Sequence, residues 1–98
     1  MIVVRFKARC RPELAADVRS ALADVIEPSR ALEGVVSFDV AEDLTDAGTF
    51  VATEVFEDDA ARERQESLPQ VGTVMALLPG ALAGPPEISV YRTEENAA

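Results

Sequence analysis

The residues of this chain able to do chemistry are few, because it contains no histidine and no tryptophan, and one cysteine. A proton-transfer role must therefore fall to a carboxylate whose surroundings move its pKa. The strongest candidate is Glu54, in the run "TFVATEVFE", where it shares a strand face with Phe50 and Phe56. If that face points at the helices, Glu54 is a buried carboxylate with a raised pKa and a general base. If it points at a partner molecule, Glu54 pairs with Arg5 or Lys7 across the interface, and this second reading is the one we favour from sequence. Phe38, Phe56 and Met75 offer apolar surface for a ligand, although core packing accounts for each of them as well. Tyr91, the sole tyrosine, can line a cavity mouth and donate from its hydroxyl, or else sit wet at a sheet edge. Arg62 and Arg64 can steady an anion, or form a solvated face with Glu63 and Glu66. Cys10 stands between Arg9 and Arg11, which favour a thiolate, yet no histidine base accompanies it.

These residues need a scaffold, and the hydrophobic pattern supplies one. "IVVRFKAR" (residues 2–9) alternates, with Ile2, Val4, Phe6 and Ala8 on one face of a strand. Leu14, Val18, Leu22, Val25 and Ile26 mark a helix over about 12–27 that Pro28 halts or bends, with one further turn closed by Gly34. A second strand follows over 35–43, with Val36, Phe38 and Val40 on one face. The turn "LTDAG" leads to a third strand over 49–57. Asp58 caps a second helix, Pro69 interrupts it, and "QVGTVMALL" resumes it. "PGALAGPP" reads as a rigid connection and "EISVY" as the fourth strand. The order β-α-β-β-α-β predicts an α+β, ferredoxin-like sandwich: a four-stranded antiparallel sheet with its helices on one face. Residues 1–92 form the single domain and 93–98 a polar C-terminal tail.

Helices on one face leave the other face of the sheet bare, on the order of 400 Å². Val3, Val35, Val51 and Val55 make it apolar enough that a homodimer joined through the sheet faces is expected. With 18 acidic against 9 basic residues, the net charge of −9 argues against nucleic acid and against an anionic membrane surface. The scarcity of histidine and cysteine argues against a transition-metal site. A lone thiol fits a reducing cytoplasm, and "MIVVRFKARC" does not read as a secretory leader.

Three segments carry a resemblance: "EPSRALEG" running into "VSFDV", the "EVFED" end of the third strand, and "LAGPPE" before the last. In this order, over about residues 1–91, the chain resembles the antibiotic biosynthesis monooxygenase family, small dimeric α+β barrels similar to quinol monooxygenases. The resemblance implies oxygenation of a small aromatic or quinol compound by O₂, with no metal, flavin or other cofactor. It also implies a cavity between sheet and helices in each protomer. Gln65 falls where many members carry a histidine, so it is a candidate to hydrogen-bond a substrate carbonyl or hydroxyl, though not to act as a base. Phe56 stands where many carry tryptophan. A related haem-degrading branch uses residues at the positions of Val4, Gln65 and Met75, none of them retained, so haem degradation is not expected. The alternative is a non-catalytic dimeric barrel that binds a small apolar ligand or serves as an assembly module.

Overall fold

The structure is a computed structural model that describes residues 1–94. Part of the tail assigned to 93–98 therefore lies outside the described residues. Four strands form one sheet: β1 (Ile2–Arg9), β2 (Val35–Glu42), β3 (Thr49–Phe56) and β4 (Glu87–Arg92), in the order β2-β3-β1-β4, every neighbouring pair antiparallel. The helices are α1 (Ala15–Arg30), preceded by a 3₁₀ turn over Pro12–Leu14, α2 (Asp59–Glu66) and α3 (Pro69–Ala81). This is the ferredoxin-like arrangement expected from the alternation of strand and helix periods.

Most boundaries fall within one to three residues of the sequence reading, and two of the differences lie at prolines. Pro28 lies inside α1, which runs on to Arg30. Pro79 lies inside α3, which reaches Ala81. A proline removes one intrahelical hydrogen bond. Near the end of a helix that loss is small, and here the turn after each proline is still held. The N–H of Ala31 donates to the Glu27 carbonyl at 3.1 Å, and the Ala81 carbonyl accepts from the N–H of Arg11 at 2.8 Å. Gly34 then takes φ +85°, the left-handed conformation that ends the α1 connection, and packs so close to α2 that a Cβ on it would lie 2.6 Å from the Ala61 Cβ. Asp58 caps α2 as expected, its carboxylate accepting from the N–H of Ala61 at 2.9 Å.

Register fixes which face each side chain takes. Across the sheet, Phe38, Glu54, Val4 and Val90 form one row. Phe50 and Phe56 share that face of β3 and are buried beneath the helices. A bulge between Val35 and Ser37 corrects the expectation for β2. Val35 turns toward the core, whereas Val36 is 50% exposed, because the bulge inserts one residue into the alternation. The helix-free face carries half-buried Val3, Val51 and Val55 together with Arg5, Lys7 and Arg9, so its apolar stripe is flanked by charge. Among the described residues no helix is long and apolar enough to cross a membrane.

Candidate functional site

Between the sheet and the three helices lies a cavity of about 430 Å³, within the range of small-molecule sites. Its floor is the sheet row: Val4 and Phe6 from β1, Phe38 from β2, Ala52 and Glu54 from β3, with Ile88 at the β4 edge. Leu22 and Val25 of α1 close one side, and α3 closes another through Val71, Val74, Met75 and Leu78. Polar groups come from one strand and one helix: Glu54 from β3, and Arg62, Gln65 and Glu66 from α2. Met75 and Ile88 are more than half exposed, so the opening lies between α3 and β4, where α2 and α3 stop short of covering the edge strand.

Glu54 is the decisive residue. Its strand neighbours on this face are Val4 and Phe38, both buried and apolar. Burial, reinforced by the nearby Glu66 carboxylate and opposed by Arg62, pushes its pKa up from 4.5 to about 7. The reading favoured from sequence, an interface pair with Arg5 or Lys7, is therefore corrected. Those two residues lie on the opposite face of the sheet, because Val3, Arg5 and Lys7 alternate with Val4 and Phe6.

Gln65 is 3% exposed, which corrects the alternative of a wet helix glutamine, and its Nε2 donates to the Ser29 hydroxyl at 3.1 Å. Ser29 is fully buried on α1 and continues the stripe of Leu22 and Val25 by four residues. That i+4 spacing was the signal by which the sequence could have pointed to it. Arg62 is engaged rather than free: its Nε contacts the Glu66 carboxylate at 2.8 Å, one helical turn away. Arg64 points elsewhere, donating to the Glu33 carbonyl at 2.9 Å.

Of the six residues selected from sequence, the cavity brings together Glu54, Gln65, Phe38 and Met75. It does not include the other two. Phe56 is fully buried in a separate cluster with Ile2, Val4 and Ala61, since it sits at the end of β3 beneath the start of α2. Tyr91 pairs with Val3 and so faces away from the helices, 55% exposed. Cys10 is buried, and burial pushes its thiol pKa up, opposite to what the flanking arginines would favour. A second hollow of about 420 Å³, bordered by Lys7, Arg9, Asp46, Thr49 and Glu87, lies beyond β1 and is chiefly polar.

Residues 1–77 match the model of the antibiotic biosynthesis monooxygenase family. The chain belongs to that family. An uncharacterized protein of the cyanobacterium Synechocystis is 30% identical over 97% of this chain, and the chain spans 65% of that relative's length. A structure from Mycobacterium tuberculosis superposes with a TM-score of 0.87 at 24% identity, covering 99% of this chain and 98% of that one. A crystal structure of an antibiotic biosynthesis monooxygenase gives a TM-score of 0.85 at 19% identity, covering 96% and 99%. At these identities the solved structures establish the shared fold. Members of the monooxygenase family are usually dimeric.

Proposed function

We propose that this chain is a cofactor-independent monooxygenase acting on a small aromatic hydroxy compound of the quinol or anthrone type. One arrangement supports this above the others: a carboxylate buried at the floor of an apolar cavity, where burial pushes its pKa up to about 7. A general base works best with its pKa near the working pH. Glu54 takes a proton from the bound substrate, leaving an electron-rich anion. The anion passes one electron to O₂, and the resulting radical pair forms a carbon–oxygen bond to give a peroxide. Loss of water from the peroxide leaves a carbonyl. For a methylene carbon, CH₂ and O₂ become C=O and H₂O, with O₂ taking all four electrons. Gln65, held by Ser29, hydrogen-bonds the substrate oxygen on which charge develops.

We further propose that the bare sheet face, with Val3, Val51 and Val55, joins two copies in the arrangement usual for the family, and that the protein acts in the cytoplasm. A second reading, a barrel that binds its ligand without turning it over, is favoured by the glutamine on the cavity wall. Gln65 has no titratable proton and is tied to Ser29.

The test is O₂ uptake with a panel of anthrones and quinols against a no-protein control. Uptake should rise as pH passes through about 7. It should fall roughly 10²- to 10⁴-fold in Glu54→Gln, and by less in Gln65→Ala. Uptake no faster than the control across the panel would leave the binding barrel as the answer.

A further inference from the structure

The cavity is unevenly charged in a way that bears on what can enter it. From α1 it receives only apolar side chains, Leu22 and Val25, and α3 contributes no charged residue at all. Strands β1, β2 and β4 likewise present apolar groups. All of the charge comes from Glu54, Arg62 and Glu66, two acids to one base. The single base is already paired: the Arg62 guanidinium lies 2.8 Å from a Glu66 oxygen, across one helical turn. The pair sits at the wall with the Arg62 side chain 27% exposed and the Glu66 side chain 54% exposed.

We propose that Glu66 is a specificity-determining residue. By holding Arg62 in this ion pair, it makes the cavity a site for uncharged hydroxyarenes and closes it to arene carboxylates. A ligand hydroxyl can donate to Glu54 and accept from Gln65, so both buried polar groups stay satisfied. A ligand carboxylate finds no free cation among the described lining residues, faces Glu54, and must compete with Glu66 for a guanidinium that binds carboxylates in a fixed fork. Leaving a charge unpaired in such a place is the larger penalty, and it sets the discrimination. The inference rests on reading this cavity as the ligand site, but it makes no use of turnover.

Binding of 2-naphthol and 2-naphthoate, two ring systems of equal size that differ in charge, tests it by calorimetry at about pH 8, where Glu54 is chiefly ionised. The native protein should bind 2-naphthol roughly tenfold or more tighter than 2-naphthoate. Glu66→Gln frees Arg62 and should bring the two affinities within about threefold, by tightening the carboxylate and leaving the naphthol nearly unchanged. Glu54→Gln with Glu66→Gln should favour the carboxylate further, and adding Arg62→Gln should abolish the gain. Because the Glu66 side chain is more than half exposed, its replacement removes no core contact. A ratio unmoved by Glu66→Gln, equal binding of both probes by the native protein, or binding of neither would each overturn the proposal. Selectivity with no O₂ uptake would refute the catalytic reading and leave this one standing.

Discussion

Replacing Glu54 by glutamine should make the protein more stable in mild alkali, even as it removes the proposed base. The carboxyl is held to a pKa of about 7 against 4.5 for its ordinary value, with burial as the first cause. A raised pKa means that the folded chain binds this proton more tightly than the unfolded chain does. Its contribution to stability is therefore fully present below about pH 4.5 and is lost as pH rises through about 7. A displacement of about 2.5 units at about 1.36 kcal/mol per unit amounts to ~3 kcal/mol of stability missing above neutrality. Water at the open side of the cavity screens part of this, so a gain of about 1–3 kcal/mol is expected from the neutral, isosteric side chain. Urea unfolding followed by circular dichroism at about pH 8.5 and about pH 4, below the ordinary carboxyl value, at one protein concentration, measures it. The variant should unfold at higher urea in alkali and should nearly coincide with the parent in acid. Glu42, Asp43 and Asp59, whose pKa values are lowered by hydrogen bonds to Arg19, Thr45 and Arg92 respectively, shift both proteins alike and cancel in the comparison. Equal midpoints at the alkaline pH would mean that the Glu54 charge is not buried, and the argument for a base at the cavity floor would fall with it.

Two further outcomes follow from the packing. Gly34→Ala should cost about 2–5 kcal/mol in thermal unfolding, since it combines left-handed backbone with a 2.6 Å clash on Ala61. Gly72→Ala, with nothing within 4 Å of the added carbon at the fourth residue of α3, should instead gain up to about 0.5–1 kcal/mol; a loss there would mean that the added methyl meets a neighbour. In sedimentation at micromolar concentration the native protein should run at roughly twice the 10.5 kDa chain mass. Val55→Asp on the bare sheet face should return it to the single-chain mass, and a native species of one chain would refute the paired sheet.

Much of the scaffold was legible in the sequence because strand and helix periods differ. Ile2, Val4, Phe6 and Ala8 alternate, and all four turn to the helix side. Leu22 and Val25 keep helical spacing and reach the cavity wall. Local breakers were less readable. Pro28 and Pro79 mark places where one hydrogen bond is missing, and whether a helix ends there depends on what holds the following turn. The bulge at Val36 was hidden for the same reason: alternation assumes an unbroken ladder, and one inserted residue exchanges the faces of Val35 and Val36.

For the site, the sequence by itself determined the inventory: no histidine, one strand carboxylate among phenylalanines, and a glutamine in the second helix. It could not choose a face for Glu54, because both faces of β3 carry apolar residues. Only the tertiary structure decided that β3 lies between β1 and β2 with Val4 and Phe38 flanking Glu54, so that the acid points beneath the helices. The same register sends Tyr91 outward with Val3 and seals Phe56 against Ala61, outside the cavity. Alternation along a strand says which residues share a side. Which side is buried is settled by pairing with strands distant in the chain, and the chemistry of a carboxylate depends on that choice.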